Sequence, residues 1–70
     1  MALRKRSFSL SGHRTSVALE AEFWAILDGQ AQSQNLSLAA FIARVDAARG
    51  ERPLASALRL HALAAAKSAP

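Results

Sequence analysis

At Leu19-Glu20 the apolar period of this chain changes, and that change most narrows what it can fold into. Ahead of it, Thr15, Val17 and Leu19 alternate with Arg14, Ser16 and Ala18. Successive side chains of a strand point to opposite faces, so residues 14–19 predict a short β-strand with one apolar or β-branched face and one small, polar face headed by a base. Behind the change, Leu19, Phe23, Leu27 and Ala31 repeat at helical spacing with Trp24 and Ile26 beside them. Glu20 and Glu22 sit in the first turn, where the helix dipole favours acids.

The first helix is predicted from about Glu20 to Gln34. Gly29 within it costs about 1 kcal/mol relative to alanine, and either admits a close neighbour or only weakens the helix. Asn35 tolerates the left-handed conformation that ends a helix, and Ser37 is a good N-cap for a second one with the apolar set Leu38, Phe41, Ile42, Val45 and Ala48. Arg49-Gly50 closes it, and Pro53 suits the first position of a third helix. There Leu54, Ala57, Leu58 and the run from Leu60 to Ala66 form a broad apolar surface, with Arg59 and His61 toward its edges and fraying expected near Lys67. Ahead of the strand, Phe8 and Leu10 alternate with Ser7 and Ser9 before Ser11-Gly12 interrupts. That short segment either adds a strand or stays mobile. The predicted organisation is a basic arm over 1–13, a strand and two helices over 14–49, and a turn and third helix with a frayed tail over 50–70.

Seventy residues support one domain at most, and a core that small ordinarily needs disulfides, a metal or oligomerisation. There is no cysteine, and His13 and His61 lie too far apart in sequence to suggest a metal site. Oligomerisation is the expected route, with no metal and no cofactor. No run approaches the ~18–20 apolar residues that span a bilayer, and no signal peptide is evident, so a soluble, cytoplasmic protein without membrane contact is expected. Residues 1–14 carry Arg4, Lys5, Arg6 and Arg14 with no acid, while the five bases and five acids of residues 15–70 cancel. The whole excess of +4 thus lies in the arm and the start of the strand. Such a cluster meets a polyanion or merely solubilises a tail.

A strand with no partner downstream leaves N–H and C=O groups that cost about 1–3 kcal/mol each if buried unpaired. The simplest partner is the same strand of a second copy, paired antiparallel about a two-fold axis. This pairing puts Thr15, Val17 and Leu19 of both chains on a dimer core that Phe23, Trp24, Leu27, Phe41, Ile42 and Val45 complete. It sets Arg14, Ser16 and Ala18 of both chains side by side on the opposite face, and a two-stranded ribbon of this kind fits the major groove of DNA.

The order of strand, helix, turn and helix behind a basic arm resembles the ribbon-helix-helix repressors of the Arc type. More closely, "RKRSFSLSGHRTSVALEAEFW", "LSLAAFIARVDAARG" and "LASALRL" look like a group of small bacterial ribbon-helix-helix proteins with a third helix, and the likeness spans roughly Arg4 to Leu63. The fold it implies is mainly α with one short β-strand: an intertwined homodimer with an intermolecular antiparallel two-stranded ribbon and an extra C-terminal helix.

The resemblance further implies that Arg14, Ser16 and Ala18 read base edges. Arginine binds guanine O6 and N7 in bidentate fashion, serine bonds several bases, and an alanine methyl touches a thymine methyl. Ala18 replaces a more usual polar residue, so discrimination by this strand alone is expected to be modest. Ser37, with the backbone at Leu38, stands where the family anchors a phosphate on a helix N-terminus, although a plain helix cap explains the serine equally well. Arg4, Lys5 and Arg6 are expected at phosphates or in a groove, and His13 either reaches a phosphate or holds the turn. Phe23, Trp24 and Phe41 are read as core rather than as platforms for single-stranded bases, His61 as a surface or interface histidine, and Arg59 as structural, paired with Asp46 or Glu51 or capping a helix.

No catalytic set is evident, since the serines lack a histidine and acid at recognisable spacing and no glycine-rich phosphate loop occurs. Two functions are therefore expected. One is a homodimeric repressor of transcription that binds double-stranded DNA. The other is an interaction module, such as an antitoxin, that holds a partner protein through its third helix.

Overall fold

A computed structural model describes residues 2–68. Two antiparallel strands, β1 (Leu3–Leu10) and β2 (His13–Glu20), are followed by α1 (Ala21–Ser33), α2 (Leu38–Ala48) and α3 (Leu54–Ser68). The chain is mainly helical, and the second strand is a correction to the single strand expected. β2 finds its partner upstream in the same chain, with Leu10 opposite His13, Phe8 opposite Thr15, Ser7 opposite Ser16 and Arg4 opposite Leu19. The two-stranded ribbon is thus formed within one chain, by part of the segment read as an arm.

Two features make that pairing possible. Ser11 and Gly12 both have positive φ, at 52° and 81°, which is the type I′ geometry that matches the twist of a tight two-residue hairpin. Arg4 and Arg6 share the face of Phe8 and Leu10, so β1 alternates over its whole length. Their charge conceals this alternation in the sequence. In the fold the Arg6 guanidinium lies 4.8 Å from the centre of the Trp24 ring and donates to Asp28, while the Trp24 indole N–H donates to the Arg4 carbonyl at 2.8 Å.

All three helices cover one face of the sheet. Phe8, Leu10, Val17 and Leu19 point inward to Trp24, Leu27 and Ala31 of α1, Phe41, Ile42 and Val45 of α2, and Ala57, Leu58 and Ala62 of α3. Leu19, Leu27, Ile42 and Leu58 are wholly buried within the single chain. Most of the residues expected to form a dimer core therefore close the core of one copy: Val17, Leu19, Trp24, Leu27, Phe41, Ile42 and Val45 are buried, and Phe23 packs partly buried against them. Thr15 is half-buried.

The helix boundaries follow local chemistry. Asn35 has φ of 56°, and the N–H of Leu36 bonds the Ala31 carbonyl while that of Asn35 bonds Gln32, a Schellman ending for α1. The Ser37 hydroxyl accepts from the Ala40 N–H at 3.1 Å and caps α2. Arg59 takes a different partner from those expected. It donates to Glu20 Oε1 at 3.2–3.3 Å, fastening α3 to the junction of β2 and α1, and its guanidinium also lies 5.9 Å from the centre of the Phe23 ring. Asp46 instead receives Arg49 at 2.7 Å. The third helix persists through Lys67 to Ser68; the last two positions of the expected frayed tail lie outside the described residues.

Candidate nucleic-acid interface

The register sorts the hairpin into two faces. Leu3, Lys5, Ser7 and Ser9 of β1 stand opposite Glu20, Ala18, Ser16 and Arg14 of β2, and directly opposed residues of an antiparallel pair share a face. This outer face points away from the helices. Lys5, Ser7, Ser9, Arg14 and Ser16 are all exposed, and Ala18 is half-buried. At its centre the hydroxyls of Ser7 and Ser16 lie 2.9 Å apart in a hydrogen bond that either can donate. Lys5 and Arg14 stand on opposite strands at opposite ends of that pair.

The face carries one acid, Glu20, at its far end. The carboxyl is held below the usual carboxylate range, first by a backbone hydrogen bond and then by the hydrogen bond and charge of Arg59, with desolvation opposing them. Its charge is thus matched inside the fold, and the exposed outer face is net cationic.

The expected contact residues fall on both faces of the hairpin and beyond it. Arg14, Ser16 and Ala18 occupy the outward positions read from the sequence. His13 is exposed beside the turn. Of the three arm cations, only Lys5 lies on the outer face. Arg4 and Arg6 belong to the inner face, where with Trp24 and Asp28 they line an open cleft along the seam of β1 and α1. Ser37 is exposed at the start of α2, followed by half-buried Leu38. His61 is exposed, and its ring stands perpendicular to that of Phe41 with the centres 6.2 Å apart. The sequence left the segment of Phe8 and Leu10 open between a strand and a mobile stretch, and the charges of Arg4 and Arg6 concealed how far the strand extends; the Ser11-Gly12 dipeptide between two alternating segments was the signal for it.

A family model described as a ribbon-helix-helix domain matches residues 3–66, from the first residue of β1 into the last turns of α3. The chain belongs to the ribbon-helix-helix family. No curated protein and no solved structure matches it. Ribbon-helix-helix domains are generally DNA-binding regulators that bind as dimers, and their role is regulatory rather than catalytic. Among the described residues, no helix is long and apolar enough to cross a membrane.

Proposed function

We propose that this ribbon-helix-helix protein is a homodimeric repressor of transcription in the bacterial cytoplasm, binding a specific site on double-stranded DNA with the outer face of its sheet in the major groove. The observation that carries the reading is that face: exposed, polar and cationic, with every helix packed on the other side. Arg14, Ser16 and Ala18 contact base edges, and Lys5, His13 and the backbone at Ser37 and Leu38 contact phosphates. Arg4 and Arg6 add to the affinity from the edge of the sheet, Arg6 once its bond to Asp28 opens.

The dimer forms through β2. A tight two-residue turn makes Leu10 and His13 a hydrogen-bonded pair, so the intervening residues Arg14, Ser16 and Ala18 direct their N–H and C=O groups to the free edge. Antiparallel pairing with the same edge of a second copy satisfies those groups. Binding of the purified chain to genomic duplex fragments tests the reading. Binding that falls steeply with salt and weakens with Arg14→Ala supports it; no binding to any fragment at low salt overturns it.

One observation favours a second reading, a protein-interaction module acting through α3. Leu60 and Leu63 on that helix are 45% and 47% exposed. Deleting residues 53–70 would remove Leu58 and Ala62 from the core, so the surface variants Leu60→Ser and Leu63→Ser are the cleaner test. Loss of a stably bound partner in those variants, with DNA binding intact, supports this reading.

A further inference from the structure

We infer that the first strand sets how the second reads DNA: Ser7 is a specificity-determining residue that acts through its hydrogen bond to Ser16, the two forming one hydrogen-bonding unit, and Lys5 is a phosphate-contact residue beside Ala18. The inference rests on the DNA-binding reading above and assigns to it residues that a single reading strand lacks.

β1 flanks the reading strand. Adjacent strands lie about 4.8 Å apart, and opposed side chains in a pair without mutual backbone bonds have Cβ atoms about 4.5–5.5 Å apart. The major groove is about 12 Å wide and admits two strands side by side; in the dimer these are β2 and its copy, and β1 lies at the rim of the groove. Ser7 therefore acts on a base through the Ser16 hydroxyl to which it is bonded, and Lys5, opposite Ala18, faces the phosphates that border the groove. These pairings lie within one chain and persist when a second copy pairs along the far edge of β2.

The Ser7–Ser16 hydrogen bond sets how the centre of the face reads a base. With one hydroxyl donating to the other at 2.9 Å, the pair offers one outward O–H and acceptor lone pairs on both oxygens. Reversing the bond moves the outward donor from one strand to the other. A lone serine rotates freely and accepts many bases, whereas the linked pair has two defined arrangements. Lys5 answers a separate deficiency. Ala18 offers only a methyl, and the ammonium opposite it supplies the cation that this row lacks on β2.

Selection from random-sequence duplexes, with affinities measured for the full-length chain and its variants, tests the inference. Ser7→Ala and Ser16→Ala should each relax preference at the same base pair by on the order of tenfold, and the double variant should lose little more than either alone. Ser7→Thr keeps the hydroxyl on a residue suited to strands and should restore the preference. Lys5→Ala should weaken binding by on the order of tenfold. Unchanged melting temperature and Trp24 fluorescence establish that each variant is folded. If Arg14→Ala weakens binding while Lys5→Ala and Ser7→Ala match the wild type in affinity and preference, the inference is overturned and the DNA-binding reading stands. If the wild-type chain binds no duplex, both fall.

Discussion

Arg6 Nη1 donates to both carboxylate oxygens of Asp28, at 3.1 and 3.4 Å, across the seam between the first strand and the first helix. The same guanidinium covers Trp24. A cation from the basic end of the chain is thereby held as an internal counter-ion.

Replacing Asp28 with asparagine should release it. Both partners are about half exposed, so the pair contributes about 1 kcal/mol or less to stability, and chemical denaturation of Asp28→Asn should show no larger loss. Its effect on DNA should be opposite in sign. Affinity should rise, and if Arg6 then neutralises one more phosphate, the slope of log affinity against log salt should steepen by about 0.9. An unchanged slope would show that Arg6 stays on Trp24 without its carboxylate.

The hairpin turn gives a second expectation. Gly12 has φ of +81°, and a β-carbon added to it would meet no other atom within 4 Å, so the only cost of a side chain there is conformational. Gly12→Ala should destabilise the fold by about 1–2 kcal/mol, whereas Ser11→Asn, which suits the first position of a type I′ turn, should stabilise it slightly. Urea midpoints of the two variants should move in opposite directions.

Glu20 and Arg59 make stability depend on pH. The folded carboxyl has a lowered pKa, so its contribution is complete above the ordinary carboxylate range and is lost as pH falls through the folded value. Glu20→Gln should melt below the wild type at neutral pH. The gap should close in acid, where both side chains are neutral.

Gly29 is exposed on α1, with nothing within 4 Å of where a β-carbon would stand. The close neighbour allowed for in the sequence is absent from the chain itself, leaving the weaker helix. Gly29→Ala should therefore stabilise the monomeric fold by about 0.5–1 kcal/mol, read as a higher melting temperature.

Local rules determined much of this protein before any contact was known. The alternation from Arg14 to Leu19, the change of period at Glu20, the left-handed Asn35 and the cap at Ser37 depend on residues within a few positions of one another. The sequence therefore specified β2, the three helices and the outward placement of Arg14, Ser16 and Ala18. Tertiary structure decided the partner of β2, because Arg4 and Arg6 read as solvated charges until Trp24 and Asp28, some twenty residues away, are brought beneath them. It likewise decided that Arg59 meets Glu20 instead of nearer acids, and that one chain closes its own core. These outcomes depend on which faces pack together, and a strand's charged residue reveals its inward orientation only when an aromatic ring and a carboxylate are there to receive it.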